Sequence, residues 1–141
     1  MSCVLRASGK DFEVDDFLKG SPLKALVVVH RGDARVPGST STDSSHERSG
    51  MNISVSTREF SDLSGQIEDA IQFLSENSPE LRRLRDFSSV EEIQLDFPIE
   101  DRDVVFQRDT FPNKLLVLMG ELGVGLTVSR YPTSESSPDS R

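Results

Sequence analysis

Tryptophan is missing from this chain, cysteine occurs once, and aromatic residues make up only 6% of the 141 positions. A single cysteine, Cys3, cannot form an intrachain disulfide, which is typical of proteins in a reducing compartment. No apolar run approaches the roughly 20 residues that a membrane-spanning helix needs. The first residues also lack the basic and then apolar pattern of a signal peptide. These absences predict a cytoplasmic protein.

Basic residues are also in short supply, with 16 Lys and Arg against 24 Asp and Glu, a net charge of −8 and a pI of about 4.7. A chain this acidic repels phosphate groups, so neither nucleic acid nor a membrane is an expected partner. The length suits one domain, which buries roughly two thirds of its unfolded surface. A basic protein surface is the partner that this charge favours.

The negative charge is concentrated between residues 86 and 109, where only Arg102 and Arg108 oppose the carboxylates. Such a run is typical of a solvated strand edge and loop, and it is also what a docking patch for a basic partner would contain. Both interpretations stay open at this point. The residues that we predict to bind a partner in the second case are Glu92, Asp96, Glu100, Asp101 and Asp103.

Hydrophobic spacing predicts strands and helices in alternation. Apolar residues at every second position predict strands at 3–7, 51–55, 93–97 and 124–130, and a continuous apolar run predicts another at 25–29. Spacings of three and four predict helices at 12–18, 63–74, 78–84 and 112–122. We expect Ser61 or Ser64 to cap the second helix and Gly123 to end the last one. This order predicts an α+β fold related to ferredoxin-like domains, in which a mostly antiparallel sheet of about five strands carries the helices on one face.

Three further segments have distinctive composition. The strand at 25–29 is apolar on both faces, which is typical of a central strand or one that is covered on both sides. Residues 30–50 are rich in Ser, Gly and charge, and predict a long flexible loop. The last ten residues, 132–141, offer nothing to a core and predict a disordered tail. The single domain would therefore span residues 1–131.

The chain has VLRASGKDFEVDDFL near its start, a central loop rich in Gly and Ser, and LLVLMGELGVGLTVSRYP near its end. In these segments it resembles a bacterial family of uncharacterised domains, domain of unknown function 4279. The chain departs from the family at the third strand, where an aromatic residue, usually Trp, is expected. The resemblance implies a fold but no known chemistry. Some small domains of this kind are encoded near toxin systems, so it makes an immunity role conceivable.

No catalytic residues are predicted. His30 and His46 flank or lie in the predicted loop, and a mobile loop does not hold a nucleophile and a base in a fixed geometry. Cys3 alternates with apolar residues on a strand, which is typical of a small packed side chain. The sequence therefore favours a protein without an assembled reactive site.

Metal and phosphate binding are the other chemistries to consider. Asp101 and Asp103 point the same way on an extended chain and could hold Mg²⁺ with waters, but no histidine is near them in the sequence, and we predict neither a metal nor a cofactor. A basic cluster is formed by Arg82, Arg83 and Arg85. It is typical of a solvent-facing helix with pairing to Glu80 or Asp86, and the alternative is a site for phosphate or an acidic partner.

The sequence thus predicts a non-catalytic protein-interaction module, a monomer or homodimer, that uses its acidic surface and is conceivably of an inhibitor or immunity type. The alternative is a small-molecule-binding or metal-dependent enzyme that uses the open face of the sheet.

Overall fold

The structure, a computed structural model, describes residues 2–33 and 46–132, which contain five strands and four helices in the order β-α-β-β-α-α-β-α-β. The strands are β1 (Val4–Gly9), β2 (Ala25–Val29), β3 (Ser49–Ser54), β4 (Glu92–Asp101) and β5 (Gly125–Pro132). The helices are α1 (Val14–Lys19), α2 (Leu63–Glu76), α3 (Ser78–Asp86) and α4 (Asn113–Leu122). The predicted α+β class and element order are confirmed.

The strands form one open sheet in the order β2-β3-β1-β4-β5. Neighbouring strands are antiparallel except β4 and β5, which run parallel and are joined through α4. Parallel neighbours need such a crossover because the chain must return to the starting end of the sheet. The prediction of a mostly antiparallel sheet of about five strands is therefore confirmed.

One face of this sheet carries the core. Strand residues at alternate positions, among them Leu5, Leu95 and Phe97, are fully buried and belong to a single apolar cluster. Each helix contributes fully buried side chains to the same cluster: Phe17 of α1, Leu74 of α2, Leu84 of α3 and Leu115 of α4. The helices thus share one face of the sheet. We call the opposite face, on which none of the described helices lies, the open face.

β2 corrects one prediction. Its apolar run indicated a central or doubly covered strand, yet β2 lies at an edge and pairs only with β3 in the described sheet. Leu26 is 63% exposed and Val27 48% exposed, and the register slips between Ala25 and Val27. The prediction was wrong because an apolar run shows only that a strand has apolar side chains on both faces. Its position in the sheet depends on which other strands pair with it.

The helix ends agree with the sequence in one case and differ in another. Gly123 ends α4 with a left-handed φ of +71°, as predicted, and its backbone N–H reaches back to Gly120 O. The cap of α2 is Asp62, whose Oδ1 accepts from Gly65 N at 3.0 Å, rather than the predicted Ser61 or Ser64. Asp and Ser are about equally good caps, so composition alone does not choose between neighbouring candidates.

The predicted loop and tail fall largely outside the described residues, at 34–45 and 133–141. Within the described part, β3 begins at Ser49 and therefore includes the last two residues of the predicted loop. β5 continues to Pro132 and therefore includes the first residue of the predicted tail. His46 N also donates to Asp33 O at 2.7 Å, which joins the two described ends of the predicted loop.

No helix in the described ranges is both long enough and apolar enough to cross a membrane.

Candidate functional site

The five predicted acidic binding residues do not form one continuous surface. Glu92, Asp96 and Glu100 lie on β4, at the positions that alternate with its buried side chains, and therefore on the open face of the sheet. At a rise of about 3.3 Å per residue, Glu92 and Glu100 are about 26 Å apart. Asp101 ends the strand and Asp103 follows it in the loop to α4. These residues are therefore considered separately.

Asp96 is a structural carboxylate rather than a free one. Its side chain is only 10% exposed, and Arg6 donates to its Oδ2 from Nη2 at 3.0 Å and from Nε at 3.2 Å. Ser129 Oγ donates to its other oxygen at 2.7 Å. Since Arg6 lies on β1 and Ser129 on β5, Asp96 links three neighbouring strands across the open face. Its charge is used inside the protein.

Glu92 is also engaged, but more weakly. Gln94 Nε2 donates to its carboxylate, and Arg48 Nη2 lies 3.9 Å from Glu92 Oε2. Arg48 Nη1 makes a closer ion pair with Glu91, at 3.0 Å. Exposed pairs of this kind contribute little to stability, so Glu92 can exchange Arg48 for a partner at small cost.

The exposed carboxylates with the most unusual surroundings are Asp101 and Asp103. They flank the start of a loop whose next three side chains are apolar and face solvent: Val104 is 56% exposed, Val105 fully exposed and Phe106 74% exposed. We call residues 101–106 the loop tip. Its apolar residues are not among the binding residues predicted from the sequence. The only available signal was three adjacent apolar residues in a strongly acidic segment, without the alternation that marks a strand.

The base of this loop is held by several hydrogen bonds. Gln107 Nε2 donates to Glu100 O at 2.9 Å and to Asp109 Oδ2 at 2.8 Å, while Arg102 N donates to Gln107 Oε1 at 2.9 Å. Arg102 Nη2 also bonds Asp109 Oδ1 at 3.2 Å. The hydrogen bond from Gln107, and then the Arg102 guanidinium, lower the pKa of Asp109. The loop tip is therefore presented from an ordered base.

Arg83, from the predicted basic cluster, is built into the fold. Its guanidinium pairs with Glu80 at 2.9 Å, donates to Phe17 O at 2.8 Å and lies 4.0 Å from the centroid of the Phe17 ring. The hydrogen bond between Arg83 and Glu80 raises the pKa of the arginine and lowers that of the glutamate. This side chain fastens α3 to α1 and is not available to a phosphate.

The other two members of the cluster differ from each other. Arg85 pairs with Asp86 at 3.2 Å and donates to Glu121 O at 3.1 Å, which satisfies a carbonyl at the end of α4. Arg82 is exposed on α3. The predicted pairing with Glu80 or Asp86 thus holds for Arg83 and Arg85, and the three arginines do not converge on a common point.

The residues with nucleophile or base chemistry lie apart. Cys3 is fully buried in the core beside β1. Burial raises the pKa of its thiol well above the ordinary value, and the nearby carboxylates of Asp96 and Asp69 raise it further. His30 Nε2 lies 2.8 Å from Asp15 Oδ2 at the surface, and this hydrogen bond raises the pKa of the imidazole. A buried neutral thiol and an exposed, already paired imidazole do not make a catalytic pair.

The open face of the sheet holds two shallow depressions that share Arg6, Val27 and Asn52. Their volumes are about 480 and 270 Å³, and the larger one reaches Arg48 while the smaller one reaches Tyr131. With its amide oriented to satisfy its neighbours, Asn52 accepts from Arg6 Nη1 at 3.1 Å. Asp96 and Asn52 therefore fix a half-exposed guanidinium at the floor of an open, partly apolar surface.

A metal centre finds little support in the geometry. Within residues 2–33 and 46–132, no three or more His, Cys, Asp or Glu side chains are grouped so that they could hold a metal ion. Asp101 and Asp103 stand beside the exposed apolar residues of the loop tip, without a third ligand of this kind among the described residues.

No family model, curated protein or solved structure matches the chain.

Proposed function

We propose that this protein is a non-catalytic protein-interaction module whose docking element is the loop tip. The observation that carries the proposal is the run of three exposed apolar side chains, Val104, Val105 and Phe106, beside the exposed carboxylates Asp101 and Asp103. Exposed apolar clusters mark surfaces that are covered in a complex. Nothing in the core depends on these three side chains, because they face solvent.

The apolar and the acidic side chains of the loop tip are expected to contribute different amounts to the binding free energy. Complete burial of a Val or Phe side chain is worth about 1.5–3 kcal/mol, whereas an exposed ion pair contributes about 0.2–1 kcal/mol. The apolar residues would therefore supply most of the affinity. Asp101 and Asp103, like the acidic segment as a whole, would mainly attract a basic partner and speed the encounter.

The ordered base of the loop supports this assignment. The hydrogen bonds of Gln107 and the pairing of Arg102 with Asp109 hold the loop where β4 ends. A pre-organised loop loses less conformational entropy on binding than a free one, and the gain appears as affinity. The partner that fits is a basic surface with an apolar recess. Inhibition of a basic toxin, an immunity role, is one concrete version.

We further propose, as its sequence resemblance suggests, that the chain is a bacterial cytoplasmic protein related to domain of unknown function 4279. A relationship to ferredoxin-like folds is supported by the strand order, in which β3 lies between β1 and β2 and β4 lies on the other side of β1. The added α4 and β5 extend that plan, and they contribute one of the two sheet edges.

The experiment is a pull-down from the native organism with mass spectrometry, followed by binding kinetics of the identified partner. We expect Asp101→Lys with Asp103→Lys to lower the association rate by about tenfold, because charge steering changes mainly that rate. Val105→Ser with Phe106→Ser is expected to raise the dissociation rate by a similar factor. All four positions are exposed, so folding should be intact.

A matched control is Val27→Ser, which removes the same apolar group from an exposed site on β2. If both double variants bound the captured partner as the unmodified protein does, the loop tip would not be the docking element. A loss of affinity caused equally by Val27→Ser would place the contact elsewhere.

A second candidate, binding of a small molecule or metal-dependent catalysis on the open face, is favoured by the two depressions around Arg6. It is tested by thermal unfolding in the presence of Mg²⁺, Mn²⁺ or Zn²⁺. For an interaction module we expect no upward shift of Tm at micromolar metal. A clear rise would support the second candidate, since a ligand that binds only the folded state stabilises it.

A further inference from the structure

The outer edge of β5 lacks the features that usually protect an edge strand. β5 is eight residues long, and its register with β4 runs without a bulge from Gly125 to Pro132. Its one charged residue is Arg130, near its end, and its only proline is the last residue. The other edge, β2, is five residues long and interrupted by a register shift. Because edges are normally short, bulged or charged, an open edge like that of β5 is suited to pairing.

The surface beside this edge is apolar. Leu126 and Val128 lie on the helix-covered side of β5, at register with buried residues of β4, and yet they are 42% and 39% exposed. The preceding helix, α4, leaves Leu116 and Val117 43% and 47% exposed. Among the described residues, large exposed apolar side chains outside β2 and the loop tip are confined to α4 and β5. The proposed docking at the loop tip does not account for them.

We propose that two copies of this chain pair antiparallel along β5, about a twofold axis, and form one continuous sheet. An axis at Thr127 places Leu126 opposite Val128 of the partner subunit, and Val128 opposite Leu126 of the partner subunit. Each copy thus offers the apolar residue that the other needs, as a self-complementary interface requires.

The charge distribution favours a second copy as the occupant. Residues 112–132 contain only Lys114, Glu121 and Arg130 as charged groups, although the whole chain carries −8. Two such segments face each other without the repulsion that the acidic parts of the chain would produce. The acidic segment 86–109 includes β4, which pairs with the inner edge of β5 and so lies one strand away from the seam. The proposed pairing uses the outer edge of β5 and does not include the loop tip.

The size of the surface predicts a weak dimer. With the axis at Thr127, residues 125–129 of the two copies pair, which is a length of about 16 Å, and a sheet with one layer of helices is about 20 Å deep, so each copy would bury on the order of 300 Å². A standard stable interface buries about 800 Å² per partner, and smaller ones belong to weak complexes. The dimer should therefore form only at about 100 μM or above and dissociate on dilution.

Sedimentation equilibrium of the full chain, from low micromolar to near-millimolar concentration, tests the proposal. We expect a monomer–dimer equilibrium that Val128→Lys weakens at least about tenfold, because each lysine would replace an apolar contact with Leu126 of the partner subunit and would lie diagonally across from the other lysine. The matched control is Val27→Lys on β2, which should leave the equilibrium unchanged. A monomer at all concentrations overturns the proposal, as does a dimer that only Val27→Lys disrupts.

A second variant keeps the test valid if Val128→Lys does not fold. Thr127→Cys should form a disulfide-linked dimer on mild oxidation, since opposed residues of antiparallel strands lie within the Cα separations of disulfides. Cys3 is fully buried and does not compete. Absence of the cross-link in a folded Thr127→Cys protein overturns the proposed axis. A failure of dimerisation would leave partner binding at the loop tip unaffected, so the two proposals fail separately.

Discussion

Phe97→Ala is expected to lower the free energy of unfolding by about 4 kcal/mol. Phe97 is fully buried on β4, and its ring centroid lies 5.2 Å from that of Phe111, which leads into α4. Truncation removes apolar contacts and leaves a cavity between the sheet and the helices, which the surrounding backbone closes only in part. Urea denaturation at constant pH measures the loss, and Tm should fall by about 15 °C.

The chain offers a control with the same chemical change. Phe106→Ala removes an identical side chain from the loop tip, where it is 74% exposed, and should change stability by less than about 0.5 kcal/mol. Equal effects of the two substitutions would contradict the assignment of Phe97 to the core and of Phe106 to an exposed surface. Phe106→Ala is also a clean variant for binding, because it leaves the fold intact.

Gly9→Ala is expected to cost about 3 kcal/mol, at the upper end of the usual range for overpacking. Gly9 ends β1 directly beneath the turn at Ser89, and an added Cβ would overlap the Ser89 carbonyl oxygen and lie 3.2 Å from Glu91 N. Ser89 already has a left-handed φ of +68°, and Glu91 N donates to Ser8 O at 2.9 Å. Both obstacles are backbone atoms, so relief requires movement of the whole turn.

Gly120→Ala makes the same chemical change with the opposite expected sign. Gly120 lies in α4, and an added Cβ would meet no atom within 4 Å. Alanine in a helix interior is more favourable than glycine by about 0.5–1 kcal/mol, so this variant should be more stable than the unmodified protein. Thermal unfolding of both variants checks the pair, and destabilisation by Gly120→Ala would contradict the open space at that site.

The local sequence pattern was sufficient to predict the helices and strands and the buried side of β4. Alternation at Ile93, Leu95 and Phe97 correctly marked the buried side of β4, because side chains on a strand point to opposite faces in turn. Gly123 marked the end of α4, because a left-handed residue favours glycine. These features depend on neighbours within a few residues, which the sequence displays directly.

The candidate site was only partly visible in the sequence. Asp96 and Asp101 look alike in composition, yet one is a buried link to Arg6 and the other is exposed at the loop tip. The difference comes from Arg6, which is 90 positions away along the chain. Sequence spacing carries no information about such a pair until the sheet has brought β1 beside β4.

Taken by itself, the sequence determined the α+β class, the order of helices and strands, the excess negative charge and the buried side of β4, because these follow from composition and short-range periodicity. Only the tertiary structure decided that β2 is an edge strand, that Asp96 is paired, and that Val104, Val105 and Phe106 face solvent. Exposure and pairing depend on which distant segments cover a residue, and a chain acquires those neighbours only when its strands assemble into the sheet.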